Sequence, residues 1–430
     1  MSLEQVMVEQ VSSLKTGVKY KDTSIGEIPV DWSLKNIEET CEILDNKRVP
    51  LNKEQREKMK GYIPYYGANG VVDHINDYIF EDNLILIAED GGYFDEYMHR
   101  PIAYLIHGKS WVNNHAHVLK VIEPNDTSWI YYSLVNKNII PFIKGGTRSK
   151  LNQTDLRQIA IPIPPCPEQK KIADILTTVD EAIEKATQII KKAKELKKGL
   201  MQRLLNRGIG HNKFKKTEIG KIPVDWEVKR LIDTASNDKY SFTGGPFGSD
   251  LKENSYTDHG VRIIQLQNIG DGEFLGDYKI FTSEEKANQL KNCNIYPGDI
   301  IIAKMADPVA RACIIPDIDN RYLMASDGIR LSINEKEHDV NFILYAINST
   351  YFRKNAERHS TGTTRLRIGL TELKNLPIGI PPLEEQKKIA QILSSVDDEL
   401  ERESEHKERL ELLKRGLIQV LLTGKIRVAV

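Results

Sequence analysis

The 430-residue sequence contains only four cysteines, and they are widely scattered. Cys41, Cys166, Cys293 and Cys313 form no Cys-x-x-Cys pair, so the sequence predicts neither a zinc site nor a disulfide framework. Few unpaired cysteines are typical of a reducing compartment, and we expect a cytoplasmic protein. No apolar run approaches the roughly 20 residues that a membrane-spanning helix needs. Residues 1–20 lack a basic flank and are expected to form a helical segment, not a signal peptide.

The sequence also lacks an excess of either charge and the common catalytic motifs. Its 60 basic and 61 acidic residues argue against a uniformly basic nucleic-acid coat, although local basic patches remain compatible. It has no P-loop, no Asn/Asp-Pro-Pro-Tyr/Phe motif for a flipped base, and no cluster of carboxylates around a lysine. Asp299 and Lys304 flank the apolar run IIIA, which we interpret as a structural strand. We therefore expect no catalytic residue, metal ion or cofactor in this chain.

What the sequence does contain is a duplication, which has to be read before any local pattern. TSIGEIPVDW, from Thr23, returns as TEIGKIPVDW, from Thr217. IPPCPEQKKIADILTTVDEAI, from Ile163, returns as IPPLEEQKKIAQILSSVDDEL, from Ile380. The chain thus holds two copies of one unit, each with a short opening segment, a body of its own sequence and a long helix. Both bodies mix strand-like and helix-like runs, so we expect an α/β (α+β) fold with a pseudo-twofold internal repeat.

The two long helices carry apolar residues at alternating steps of four and three, the heptad pattern of a coiled coil. Prolines precede both helices, as expected where a helix begins. Each helix is predicted to run for about 38 residues, or roughly 57 Å. The predicted coiled-coil positions are Ile172, Leu176, Val179, Ile183 and Ile190 in the first helix, and Ile389, Leu393, Val396, Leu400 and Leu417 in the second.

The distribution of charge predicts how these helices meet. Acidic residues dominate the first helix up to Glu184 and basic residues dominate from Lys185 onward, and the second helix changes in the same way near Lys407. A parallel pair would set acid against acid, whereas an antiparallel pair sets acid against base. We therefore predict one antiparallel coiled coil within the chain. The alternative is two solvated surface helices, each packed only on its own body.

One local match survives between the two bodies, just before each long helix. It lies in GGTRSKLN, from Gly145, and GTTRLRIG, from Gly362. A hydroxyl and two cations on a glycine-loosened loop suit contact with a phosphate or with guanine in the major groove. The alternative is an ordinary basic turn. The residues predicted to contact DNA here are Thr147, Arg148 and Lys150 in the first copy, and Thr364, Arg365 and Arg367 in the second.

Three weaker clusters complete the set of predicted DNA contacts. Tyr66 lies in IPYYGANG, Asn113 and His115 lie in SWVNNHAHV, and Phe247 and Ser249 lie in GGPFGSDL. Stacking, base-edge contact and close approach to a backbone are possible uses of these side chains. Structural roles remain open for all three clusters. The His-x-His spacing in the second cluster has no evident third metal ligand.

Together the repeated segments IGEIPVDW and IGKIPVDW, GGTRSKLN and GTTRLRIG, and the helix starts IPIPPCPEQKKIADIL and IGIPPLEEQKKIAQIL resemble the specificity subunits of type I restriction-modification systems. The resemblance covers nearly the whole chain. It implies two target-recognition domains that each read half of a split DNA site in the major groove, with two helices as spacer and docking element. The corresponding domain limits are 1–20 (N-terminal segment), 21–163 (first recognition domain), 164–210 (first spacer helix), 211–380 (second recognition domain) and 381–430 (second spacer helix).

The resemblance also implies partners. Double-stranded DNA, two methyltransferase subunits and restriction or translocase subunits are expected, and no membrane. S-adenosylmethionine would bind to the methyltransferase partner, and ATP and Mg²⁺ to the restriction partner. The chain itself would be noncatalytic. The competing interpretation is a coiled-coil scaffold that presents two domains to protein partners without reading DNA.

Overall fold

The computed structural model describes residues 18–145, 149–305, 307–363 and 365–429. The chain divides into two compact units. The first comprises the chain up to Gln188 together with Ser404 onward, and the second comprises Ile189–Glu403. Each unit therefore holds one body and parts of both long helices. Most of the predicted N-terminal segment, and the predicted contacts Thr147, Arg148 and Thr364, lie outside the described residues.

The first unit is built from short strands and helices around a mixed core. Its strands are β1 Tyr20–Thr23, β2 Gly26–Pro29, β3 Ser33–Asn36, β4 Cys41–Ile43, β5 Lys60–Gly67, β6 Gly70–Ile75, β7 Phe80–Glu81, β8 Leu84–Ala88, β9 Ala103–Ile106, β10 Lys109–Val112, β11 Ala116–Val121, β12 Ile143–Lys144, β13 Lys150–Leu151 and β14 Ala160–Ile163. Its short helices are α1 Ile37–Thr40, α2 Lys53–Lys58, α3 Thr127–Val135 and α4 Gln153–Arg157.

An antiparallel sheet with strand order β4-β11-β8-β9 forms the centre of the first body. All five residues of β8, LILIA, are buried, as expected of a central strand covered on both faces. A second sheet has the order β6-β5-β10-β7. Strand β14 pairs with β3, which brings the end of the body back beside its beginning immediately before the first long helix.

The second unit repeats this plan with different lengths. Its strands are β15 Phe214–Thr217, β16 Gly220–Pro223, β17 Glu227–Arg230, β18 Phe242–Gly244, β19 Tyr256–Thr257, β20 Val261–Ile264, β21 Ile280–Thr282, β22 Asn294–Ile295, β23 Ile300–Ala303, β24 Ala312–Ile314, β25 Tyr322–Met324, β26 Gly328–Leu331 and β27 Pro377–Ile380. Its short helices are α6 Glu284–Gln289, α7 Val340–Ile347, α8 Thr350–Arg358 and α9 Leu370–Lys374.

The central sheet of the second body has the order β18-β26-β23-β24, and all its described pairs are antiparallel. Its strand β23, IIIA, is fully buried, which confirms the interpretation of this run as a structural strand. A second sheet has the order β19-β21-β20-β25-β22. Strand β27 pairs with β17, as β14 pairs with β3 in the first unit.

The long helices are α5, Cys166–Arg207, and α10, Leu383–Leu421, with 42 and 39 residues. They pair in opposite directions in each unit. In the first unit Asp180 of α5 forms an ion pair of 2.6 Å with Lys414 of α10. In the second unit Lys197 forms one of 2.5 Å with Asp397. The antiparallel direction predicted from charge polarity is what places acid opposite base at these two points.

The heptad residues pack both against the other long helix and against the body of their own unit. Ile172, Leu176 and Val179 are buried in the core of the first body, and Leu417 from α10 joins the same cluster. In the second unit Ile389 and Leu393 are buried with residues of the second body and of α5. Each helix start thus packs on its own body and also on the end of the other helix. The other predicted coiled-coil positions lie nearer the middle of each helix and are half-buried. They are Ile183, Ile190, Val396 and Leu400.

The repeated opening segment and the repeated helix start meet at a buried glutamate. We call residues 20–32 and 214–226 the tryptophan hairpins. Glu168 is 2% exposed and accepts a hydrogen bond from the Trp32 indole at 3.1 Å. It also accepts two from the guanidinium of Arg427, at 2.6 and 2.7 Å. Arg427 follows α10, so the end of one long helix closes onto the start of the other.

The second unit repeats this closure with a histidine in place of the arginine. Glu385 accepts from the Trp226 indole at 3.1 Å, and His211, which follows α5, lies 2.9 Å from it. Gly208 ends α5 in a left-handed conformation, and a Cβ there would lie 2.3 Å from the Glu385 carboxylate. The close approach of helix end and glutamate therefore requires glycine.

The glutamine of the repeated Glu-Gln pair, PEQ in the first copy and EEQ in the second, fastens each long helix to its body. Gln169 donates to the Pro164 carbonyl at 2.9 Å and accepts from the backbone N–H of Asp126, the cap of α3, at 2.9 Å. Gln386 makes the same two bonds, to Pro381 at 2.8 Å and from Asp339 at 3.0 Å. These bonds give a physical reason for the repeated motif.

Within the described part of the chain, no helix combines the length and apolar character needed to cross a membrane.

The glutamate closure predicts a large loss of stability on removal of one carboxylate. Glu168→Ala would leave the Trp32 indole and part of the Arg427 guanidinium buried without a partner. We expect a loss of about 3 kcal/mol in the free energy of unfolding, measured by urea denaturation of the full chain. Glu384→Ala is the control, because this glutamate at the start of the other long helix is exposed and pairs with the likewise exposed Lys387. Equal effects of the two substitutions would contradict the assignment.

Candidate nucleic-acid interface

In the first body, three chain segments meet where β8 ends. The Glu89 N–H donates to the His115 carbonyl at 2.9 Å, and the Leu151 N–H donates to the Glu89 carbonyl at 2.7 Å. Asp90 forms a bridge with Lys150. The backbone therefore fixes Lys150 and Leu151 of β13 beside the end of β8 and the start of β11. We call this place the first shelf.

Ion pairs orient the exposed side chains of the first shelf. Lys150 Nζ lies 3.0 Å from a Glu89 oxygen, and His115 Nδ1 lies 2.6 Å from Asp90 Oδ1. Lys150 and His115 both remain about half exposed. Two of the residues predicted to contact DNA are thus brought together, on acids that the sequence analysis did not single out. Glu89 and Asp90 directly follow the buried run LILIA, and two acids at the end of an apolar strand are the sequence feature from which they could have been predicted as site residues.

A buried ion-pair network lies beneath the first shelf. Arg48 contacts Glu89 at 2.6 Å, and His117 contacts Asp45 at 2.6 Å and the Leu151 carbonyl at 2.8 Å. Burial raises the pKa of Asp45, but hydrogen bonding to His117 and its charge outweigh burial and hold this pKa below its ordinary value. The pKa of Glu89 is likewise lowered, since hydrogen bonds from Arg48 and Lys150 outweigh its burial.

The same cluster has the composition of a metal site but not its charge. Potential ligand atoms of Asp45, Glu89 and His117 lie within 4.8 Å of one another. However, the guanidinium of Arg48 lies 2.6 Å from Glu89 and 3.6 Å from Asp45. The negative charge is therefore already compensated by fixed cations, and we assign the cluster as an ion-pair network that supports the shelf.

Asn113 and Tyr66 lie next to the first shelf but face inward. Asn113 is 8% exposed, and its side-chain oxygen accepts from the His115 N–H at 2.8 Å. Its own N–H donates to the Tyr66 carbonyl at 3.1 Å. The Tyr66 ring packs against an apolar cluster, and burial raises the pKa of its hydroxyl. In this structure both residues shape the loop that carries His115.

The second body repeats the backbone of the shelf. The Lys304 N–H donates to the Asp327 carbonyl at 2.7 Å, the Ile368 N–H donates to the Lys304 carbonyl at 3.0 Å, and Met305 forms a bridge with Arg367. We call this place the second shelf. Glu89 and Lys304 are equivalent in this frame, as are Asp90 and Met305, His115 and Asp327, and Lys150 and Arg367.

The side chains of the second shelf differ in charge from those of the first. Arg367 is half exposed and pairs with Asp327 at 2.9 Å. In the second body the loop cation Arg367 is therefore held by Asp327, at the start of β26. In the first body Lys150 is held by Glu89, at the end of β8. Arg365 is exposed and lines a cavity of about 500 Å³ with Asp307, Arg311 and Glu357. Asp299 pairs with Arg330 at 2.7 Å and does not form an ion pair with Lys304.

The glycine-rich loop 244–249 lies beside the second shelf. A Cβ on Gly245 would lie 1.9 Å from the Ala325 carbonyl oxygen, so glycine is required for this loop to pack against the residues before β26. Phe247 at its tip is 82% exposed. Ser249 is also exposed and bonds only to the adjacent Asp250 among described residues. An exposed aromatic ring is suited to stacking contact with a nucleic acid.

Comparison with known proteins places the whole chain in one family. A family model described as the type I restriction modification DNA specificity domain matches residues 29–195 and 223–412. These two matches span both bodies, both shelves and most of both long helices. The chain belongs to the type I restriction-modification DNA specificity family.

Individual relatives agree with this assignment along their full lengths. The type I restriction enzyme MjaVIII specificity subunit of Methanocaldococcus jannaschii is 29% identical over 437 residues, which covers 95% of this chain and 97% of the relative. The putative MjaX specificity subunit of the same organism is 30% identical over 436 residues, with the same coverage. The crystal structure of a type I S subunit from M. genitalium shares the fold, with a TM-score of 0.62 at 16% identity over 95% of this chain and 97% of that one.

The network beneath the first shelf predicts a pH-dependent contribution to stability. Asp45→Asn should destabilise the protein at neutral pH by about 1–3 kcal/mol, because His117 and Arg48 lose a charged partner. Since the folded pKa of Asp45 lies below the ordinary 3.8, this contribution is present above pH 3.8 and lost as the pH falls through the folded value. Chemical denaturation of wild type and variant at neutral pH and below pH 4 measures the difference.

The exposed Asp95 supplies the matched control for this measurement. Asp95→Asn should change the free energy of unfolding by less than about 0.5 kcal/mol at neutral pH. A deficit of Asp45→Asn that stays constant down to the most acidic condition would contradict the role of the ionised carboxylate.

Proposed function

We propose that this chain is a noncatalytic reader of a bipartite DNA site, in which each body recognises one half-site. The observation that carries the proposal is the repeated shelf. Two bodies of different sequence keep one backbone frame, present a half-exposed loop cation on it, and vary the charged side chains around that cation. This is the pattern expected of two readers that approach the same kind of ligand but select different sequences.

Each shelf offers groups suited to the two tasks of DNA recognition, which are positioning on phosphates and reading base edges. Lys150 and Arg367 occupy the same place on the two shelves, and their shared charge suits phosphate contact. His115 in the first body, and Arg365, Phe247 and Ser249 in the second, supply donors, acceptors or a stacking face nearby. The predicted contacts Thr147, Arg148 and Thr364, which lie outside the described residues, stay predictions of the same kind.

The two long helices are proposed to act as the spacer between half-sites and as a docking element. Their antiparallel pairing is supported within each unit by the Asp180–Lys414 and Lys197–Asp397 ion pairs. In each unit the body is fastened to its helix start by a buried glutamine and glutamate. A body held in this way would keep its orientation on the helix that carries it.

The expected partners follow from family membership. We propose two methyltransferase subunits that bind S-adenosylmethionine, and restriction or translocase subunits that use ATP and Mg²⁺, in a cytoplasmic complex. The chain would contribute specificity and no catalytic group. Methyl transfer by the purified chain without partners would contradict that division of labour.

Exchange of bodies tests the proposal directly. The chain is expressed with its cognate methyltransferase subunit in a host that lacks DNA methylation, and the methylated motif is read by methylome sequencing. We expect a split motif, with one half changing when either body is exchanged for that of another family member. An unsplit motif, or none with a demonstrably active methyltransferase, would favour a scaffold that does not read DNA.

Single cations should act on single half-sites. Arg365→Ala should weaken binding to duplexes that carry the second half-site and leave recognition of the first half-site unchanged, and Arg148→Ala should do the reverse. Binding is measured with the wild-type duplex and with duplexes in which one half-site is scrambled. Affinity should fall steeply with salt, and each lost phosphate contact should reduce the slope of log K against log salt by about one. Equal binding of both variants to every duplex would sink this role.

A further inference from the structure

Lys304 stands out on the second shelf because no described carboxylate lies within ion-pair distance of its ammonium group. The side chain is half-buried at the end of β23. Burial, followed by the charge of Arg367, lowers the pKa of Lys304, while the charge of Asp327 raises it. Taking a cation partly out of water without a partner is unfavourable. A hydrogen-bond acceptor supplied from outside the chain would relieve this cost.

The side chain at the equivalent position in the first body is already paired with other residues of the chain. Glu89 occupies the same place in the backbone frame, and its carboxylate is held by Arg48 at 2.6 Å and by Lys150 at 3.0 Å. The frame is thus kept while the charge at this position is reversed between the two bodies. The loop cation, Lys150 or Arg367, is kept in both. A cation present on both shelves suits contact with the phosphate backbone, which all DNA shares. A position that is acidic in one body and basic in the other suits contact with bases, which differ between half-sites.

The glycine-rich loop 244–249 approaches the ammonium group of Lys304. A methyl group built on Gly244 would lie 3.5 Å from Lys304 Nζ, so the glycine-rich loop approaches it without a side chain of its own. Phe247 of the same loop is exposed, and Arg367 of the same shelf is half exposed. A half-buried donor on the shelf that carries Arg367 is suited to contact a duplex whose phosphate backbone that cation has engaged.

We propose that Lys304 is a specificity-determining residue of the second body and donates hydrogen bonds to acceptors on a base edge in the major groove. Lysine has only donors, and the matching edge is that of guanine, whose N7 and O6 are both acceptors. This inference rests on the proposed reading of DNA by the second body and names one contact within it. Glu89 makes no such contact, because its position is closed by Arg48 and Lys150.

The test is the methylated motif of Lys304→Met, obtained with the full chain and its methyltransferase subunit in the methylation-free host. We expect one guanine position of the second half-site to lose its preference, with discrimination reduced on the order of tenfold, and the first half-site to stay unchanged. Lys304→Arg should keep the guanine preference, since arginine also donates to N7 and O6. Lys336→Met is the control, because this exposed lysine follows the opposite end of β26.

Binding of purified complexes to duplexes that differ at each second half-site position separates the outcomes. A loss of affinity that is uniform across all sequences would show a phosphate contact and overturn the proposal, as would an unchanged motif. Lys304→Met should be at least as stable as wild type in thermal unfolding, and a destabilised variant would mark Lys304 as structural and also overturn it. If the wild type itself yields no split motif, the proposed function fails, whereas a split wild-type motif with an unchanged variant refutes only the role of Lys304.

Discussion

The closure of each unit depends on one carboxylate at the start of a long helix. Glu168 and Glu385 each lie between the indole of a tryptophan hairpin and a basic side chain from the end of the other helix, and removal of such a partner from an enclosed carboxylate is strongly destabilising. The contact joins hairpin, helix start and helix end at a single point. It therefore constrains where each long helix begins, where the other one ends, and how the body between them is held.

The closure also fixes where the shelf of each unit lies. In each unit the order along the chain is basic segment, short strand and long helix, and the strand pairs with the segment that follows the tryptophan hairpin. The loop cation, Lys150 or Arg367, is thereby carried a short distance from a rigid helix start. The rest of a body can vary in length and sequence without moving this loop relative to its own helix, which suits a protein whose two bodies read different sequences.

The backbone of each shelf is fixed independently of the side chains that it carries. Hydrogen bonds among main-chain groups fix the three segments, so they impose no choice of side chain on Glu89 or Lys304. The acid that holds the loop cation can therefore come from the end of one strand in the first body and from the start of another in the second. Charge reversal at these positions changes what a shelf can bind while the frame stays intact.

The sequence by itself determined the duplication, the two long helices and their antiparallel direction, because these follow from repeated segments, heptad spacing and charge polarity along the chain. The mixed α/β class followed in the same way. Only the tertiary structure decided which polar residues share a shelf and which basic side chain meets each helix-start glutamate. Glu168 and Arg427 are 259 residues apart, and four strands and the helix α3 separate Glu89 from Lys150 along the chain. Such pairs depend on strand order and register, which local pattern does not encode.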